Sequence, residues 1–314
     1  MNDMIWLIRR EIWENRSLWI APLVIAGVIL ISAAFGGIHV GDKGAFWIGS
    51  DSSIDLSTED REQIRNAMAT AALDKKQIVY AITLSTFTAV QLFSMSIVLF
   101  FYLLDSLLAE RKDRSILFWK SLPVSDTQVV LSKLLTAAVV TPLFVLLVSS
   151  VLQVLFAGVW SIRFNGTFLG DALMAWDGEI WLKLQAAFLL LLVSGIFWYL
   201  PLLAYLMVVS VWARRNAFLW AVLPPVAILA IEGMLHQSAH FAEFLGRRFV
   251  GNFQIMEEAA GRMTGDGTDG MVTVREVFEA VTAVFTHYET WLGVLVAGAM
   301  IFGAIRIRRY RDDS

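Results

Sequence analysis

The chain has 314 residues, 57% of them hydrophobic and 17% charged, with a mean hydropathy of +0.64 and a formal net charge of −3. That is more apolar surface than one soluble core of this length can hide, which places the chain in a bilayer. The absence of cysteine excludes disulfides, thiolate metal sites and a cysteine nucleophile, and nothing in the near-neutral charge balance points to a nucleic-acid partner.

In chain order, residues 4–19 come first. Ile5, Ile8, Ile12 and Trp19 fall on one helical stripe, with Arg9, Arg10, Glu14 and Arg16 largely elsewhere, which predicts a helix lying in the inner interface with Trp6 and Trp13 at headgroup depth. The first apolar run is long and follows 17 residues of mixed charge, unlike a secretory signal. Crossing about 30 Å of hydrocarbon takes roughly 20 apolar residues in a helix. Uncharged runs of that order occupy residues 18–38, 78–104, 134–160 and 184–213. A fifth, 217–235, carries Glu232 near its end, and a sixth covers 288–305 with its apolar part from Trp291. The predicted fold class is therefore all-α: one polytopic transmembrane domain of six helices, with a segment at 105–133 between spans two and three and a large loop at 236–287.

Between spans one and two, Ser57 followed by Asp60 resembles a capping box, and Ile64, Met68 and Ala71 recur at helical spacing. The large loop predicts two short helices, about 239–263 and 272–288, separated by the flexible run Gly265 to Gly270. Pro22, Pro142, Pro201 and the pair Pro224-Pro225 mark irregular places, with kinks expected in spans four and five. With both ends cytoplasmic, the inner side holds 14 of the 25 Lys and Arg against nine acids. The other side is acidic, as the positive-inside rule requires, and Arg306 to Arg309 read as a stop at the inner interface.

The charged island after span two is the most specific segment. Glu110, Arg111, Lys112, Asp113 and Arg114 are consecutive, then Ile116, Leu117, Phe118, Trp119 and Lys120 follow, and Leu122-Pro123 stops the helix. Ser125 and Asp126 are placed to cap the next helix, and Lys133 closes the island. A short helix outside the membrane carrying Phe118 and Trp119 suits a surface that another protein grips: aromatic anchors fill a pocket, and Arg and Lys fix register.

The run Glu110-Arg-Lys-Asp-Arg-Ser, with Ser121-Leu-Pro-Val-Ser and Lys133, resembles the stretch after the second span in ABC-2 type permeases, the membrane subunits of ATP-binding-cassette exporters. The six-span plan, the amphipathic N-terminal helix, the bulky last outer loop and the basic tail extend the resemblance over the chain, while Arg114 stands where members often have glycine. The resemblance implies a multi-pass permease of the bacterial inner membrane, pairing with an identical or similar second permease subunit. It also implies two cytoplasmic ATPase subunits docking on a coupling helix near residues 114–122, with Glu110, Arg111, Arg114, Ile116, Leu117, Phe118, Trp119, Lys120, Leu122 and Pro123 as the docking set. No G-x-x-x-x-G-K-[ST] run is present, so ATP and Mg would be held by the partner ATPase and none by this chain, which on this reading is not itself an enzyme. The implied substrate is an amphiphilic, lipid-like, antibiotic or peptide molecule moved outward.

Weaker constellations remain. Glu232, His236, His240 and Glu243 would share one face of a continuous helix, as a pathway or outer-face group, with His236 and His240 as candidate metal ligands. Gln91, Ser94, Ser96, Gln153, Tyr199 and Tyr205 are polar groups inside spans, of the kind that joins helices by hydrogen bonds. Other classes stay open: a membrane-embedded hydrolase, which finds no G-x-S-x-G or H-E-x-x-H pattern; a secondary transporter, which calls for charges at mid-span; and a permease fold serving signalling or assembly.

Overall fold

The computed structural model describes residues 2–35, 38–40, 46–48, 53–54, 73–113, 124–163, 178–235, 239–263 and 274–310. It is helical apart from a small antiparallel sheet of β1 (Ile38–Val40), β2 (Phe46–Ile48) and β3 (Ser53–Ile54), where Trp47 pairs with His39 on one side and Ser53 on the other. Among the described residues, six helices are long and apolar enough to cross a membrane: Ser17–Phe35, Ala81–Lys112, Asp126–Arg163, Gly178–Trp212, Ala217–Met234 and Tyr288–Tyr310. Their outer walls present side chains such as Ile31, Phe93, Leu223 and Leu295, each at least 60% exposed, as a lipid-facing surface requires.

The N-terminal helix α1 (Asn2–Glu14) is followed by the first span, α2 (Ser17–Phe35). α1 turns a face other than its aliphatic stripe toward the bundle. Leu7 and Glu11 are each 1% exposed, whereas Ile5, Trp6 and Trp13 point outward. The apolar stripe thus remains available to lipid, and the inward face carries a carboxylate.

The second span is broken near its end. α3 (Leu73–Ser106) and α4 (Leu108–Lys112) meet at Leu107, and the amides of Leu107 and Leu108 both donate to Ser210 Oγ, at 3.0 and 3.2 Å. The third span begins as α5 (Asp126–Leu135), passes through a π-helical turn at Thr136–Val140 and continues as α6 (Thr141–Arg163). Pro142 explains the wide turn. Without an N–H it leaves the Ala138 carbonyl without its i+4 donor, and the Thr141 amide reaches back to Thr136 O instead.

Helix α7 (Gly178–Trp212) is the central strut, packing on α3, α10 (Val274–Thr286) and most extensively on α11 (Tyr288–Tyr310). It and α8 (Ala217–Leu235) run helical through Pro201 and through Pro224-Pro225. The two loop helices form close to where periodicity places them, as α9 (His240–Met263) and α10. One core gathers Tyr102, Leu103, Leu107, Val130, Met207 and Ala304 near the helix ends that carry the termini. A second, around the fully buried Trp198 with Met256, Val281 and Val284, lies toward α9 and α10.

Candidate functional site

Charges from four helices meet in a buried ionic knot at one end of the bundle. Glu11 on α1 accepts from Lys133 Nζ at 2.8 Å through Oε1 and from the Tyr102 hydroxyl at 3.0 Å through Oε2. Lys133, on α5, also contacts Glu110 Oε1 at 3.1 Å, and Arg308 Nη1 on α11 donates to Glu110 Oε2. Arg308 Nε closes the far side on Asp126 Oδ1 at 3.0 Å. Arg10 sits at the rim, with Nε 2.8 Å from Glu14 and Nη2 3.5 Å from both Glu11 and Glu110.

Glu11, Glu110, Lys133 and Arg308 are all 6% exposed or less. Such a cluster persists only because each charge faces an opposite one; removing a single partner costs about 3–5 kcal/mol. For Arg10 burial is the largest influence and pulls its pKa down, but Glu14, Glu11 and Glu110 together hold the guanidinium above its ordinary value.

The knot ties both ends of the island to its neighbours. Glu110 precedes the segment 114–123 and Lys133 follows it, and both contact α1, while Glu110 and Asp126 contact α11. Arg111 turns the other way. Its Nη2 donates to Ser210 O at 2.9 Å and Ala213 O at 2.6 Å, capping the C-terminus of α7, where a cation suits the helix dipole. The expected cap forms at Ser125, whose hydroxyl accepts from the Gln128 amide while Gln128 Oε1 accepts from the Ser125 amide, a full capping box. Asp126 is committed to Arg308 instead.

Of the proposed docking set, Glu110 and Arg111 are therefore turned into the body of the protein. Arg114, Ile116, Leu117, Phe118, Trp119, Lys120, Leu122 and Pro123 lie outside the described residues, as does the helix expected from Ser57. Arg308, read from sequence as part of an interfacial stop, is instead 2% exposed and inside the knot, while Arg306 stays outside and stacks near Phe302 and Tyr310. Glu11, Arg10 and Tyr102 were not legible as site residues. The available signal was position: Glu11, Lys133 and Arg308 each abut apolar stretches, where an unpaired charge is expensive.

The outer constellation does not form the single aligned face expected of it. α8 ends at Leu235 and α9 starts at His240, so Glu232 and Glu243 stand on different helices, with His236 outside the described residues. Glu232 Oε2 accepts from the Phe241 amide at 2.9 Å, capping α9. Among the described residues no group of three or more His, Asp or Glu could hold a metal ion.

Inside the spans, polar side chains join helices. Gln153 Nε2 donates to Leu84 O and Thr88 Oγ1, both at 3.0 Å, while its Oε1 accepts from Trp181 Nε1 at 3.0 Å and Gln185 Nε2 at 2.7 Å. Gln91 accepts from Ser149, Tyr199 and Tyr205 donate to Phe249 O and Ala221 O, and Ser94 and Ser96 bond within their own helix.

No curated protein and no solved structure matches the chain. Residues 75–176 match the family model described as ABC-2 family transporter protein, and this stretch runs from the second span through the Glu110–Lys133 bracket and the third span. Residues 75–176 are thus similar to ABC-2 family transporter proteins, and that match, with six helices long and apolar enough to cross a membrane among the described residues, supports a permease subunit of an ABC transporter.

Proposed function

We propose that the chain is a permease, an exporter subunit of the inner membrane with both termini cytoplasmic, that it pairs with a second permease subunit, and that it is driven by two separate ATPase chains docking on residues 114–123. The observation that carries this reading is the bracket around that segment. Glu110 and Lys133 lie 3.1 Å apart and are bound to α1 and, through Arg308, to α11. A push on a segment held this way is delivered to α1 and to the second, third and sixth spans at once, because the ionic contacts are buried and lose several kcal/mol if pulled apart singly. Closure of an ATP-bound pair would then tilt these spans as a body, a rigid-body transition that changes access to a central pathway. Glu110 and Arg111 act here as braces, with Phe118 and Trp119 as the anchors. The cargo is an amphiphile.

The test is co-purification with the cognate ATPase subunit and measurement of its stimulated hydrolysis. Phe118→Ala/Trp119→Ala removes two aromatic anchors, each worth about 2 kcal/mol at an interface centre, and should abolish both association and stimulation. Unchanged association and stimulation would overturn the docking assignment.

A further inference from the structure

At the opposite end of the bundle from the knot, α9 crosses α7 and the start of α11, and there it buries a cation without a matching anion. Arg248 is 9% exposed, and neither its Nε nor its Nη2 has a hydrogen-bond partner. Its guanidinium lies over the Trp198 ring, 4.8 Å from the centroid, and Nη1 makes only a long 3.4 Å contact with Glu289 O. The nearby Glu289 carboxylate pairs instead with Arg247, at 2.7 Å. Burial lowers the Arg248 pKa, opposed by Glu289 and Tyr199.

The surroundings are shaped for this guanidinium. A Cβ at Gly293 would overlap it, so any larger residue there would push the end of Arg248 aside. One turn along α9, Asn252 is 2% exposed with its Oδ1 also unpartnered. Arg248 and Asn252 are four residues apart and share one helical face. Two N–H donors and one carbonyl acceptor thus stand together in need of a ligand that accepts twice and donates once. Beside them α9 exposes Phe244, Phe249 and Phe253, each more than half exposed, and the neighbouring Arg247 is 60% exposed.

We propose that the Arg248–Asn252 corner binds the headgroup of an anionic amphiphile, with phosphate oxygens accepting from Arg248 Nε and Nη2, a headgroup hydroxyl donating to Asn252 Oδ1 and acyl chains lying along the α9 phenylalanines. A forked guanidinium matches a phosphate bidentately, which a lysine ammonium does not. The site names the charge class of the amphiphile, and rests on the transport reading only for the fate of that molecule after binding.

Native mass spectrometry of the purified full-length protein in neutral detergent tests it, with phosphatidylglycerol, phosphatidylcholine and inorganic phosphate as probes. Phosphatidylglycerol should bind tightest, since phosphatidylcholine offers a phosphate but no hydroxyl donor and brings a cation toward Arg247 and Arg248. Arg248→Gln should weaken phosphatidylglycerol binding by about tenfold or more, and Arg247→Gln by less than about twofold. Equal losses in both variants, or phosphatidylcholine binding as tightly, would overturn the proposal. Inorganic phosphate bound as tightly as the lipid in an Arg248-dependent way would identify a free oxyanion and sink the amphiphile claim. Folding is controlled by Arg248→Met, which removes a buried charge that has no counter-ion. Without lipid its Tm should equal or exceed wild type, and a lower Tm would make Arg248 a structural cation and overturn the site. Loss of this binding leaves the ATPase-docking reading standing, because that is measured by association at the other end of the bundle.

Discussion

Arg308, near the end of α11, and Arg248, on α9 against the start of α11, are both buried arginines, and they are treated in opposite ways. Arg308 has Glu110 on one side and Asp126 on the other. Arg248 has an aromatic face, a distant backbone carbonyl and a carboxylate already taken by its neighbour. A charge that is matched within the chain locks elements together, and one left open is free to recognise something that arrives from outside. On the proposed readings, the end that carries the termini moves as a piece and the other end binds.

The sharpest way to break this contrast is Glu110→Ala. Lys133 keeps Glu11, but Arg308 loses its buried partner, so denaturation in detergent should show a loss of about 3–5 kcal/mol. A loss below about 1 kcal/mol would mean that the knot is wet and carries no mechanical load. At the other end, Gly251→Ala places a Cβ 2.8 Å from Trp198 Cζ2, a ring that is fully buried and donates through Nε1 to Arg248 O. Overpacking there should cost about 1–3 kcal/mol and weaken phosphatidylglycerol binding by moving Arg248, while ATPase association stays intact. The smallest effect is expected from Ser125→Ala, which removes half of a capping box at the rim of the knot. About 1 kcal/mol of stability should go, read as a modest drop in Tm with ATPase stimulation retained.

The spans were legible because hydrocarbon thickness imposes a length and an absence of charge that composition alone reveals. The two loop helices followed from periodicity, and Ser125 from its place before an apolar run. The knot was not legible, because it joins residues about 100 to 200 positions apart, such as Glu11 with Lys133 and Glu110 with Arg308. The inward face of α1 was hidden for a related reason, since it is marked by Leu7 and the single acid Glu11. The aligned Glu232, His240 and Glu243 face failed because helical spacing holds only within one helix, and the chain begins a second at His240. Arg248 gave no sequence signal, since its isolation depends on which arginine Glu289 chooses.

The wide turn at Thr136–Val140 sets the angular phase of the third span. Closing it to the ordinary ladder with every residue kept would swing the whole downstream half through about 100°. Lys133 would keep its place among the ions, while Gln153 would be carried away from Thr88 and Trp181 and the middle of the bundle would lose its shared amide. The one surplus residue is what lets a single rod present its polar side to two different neighbours at its two ends.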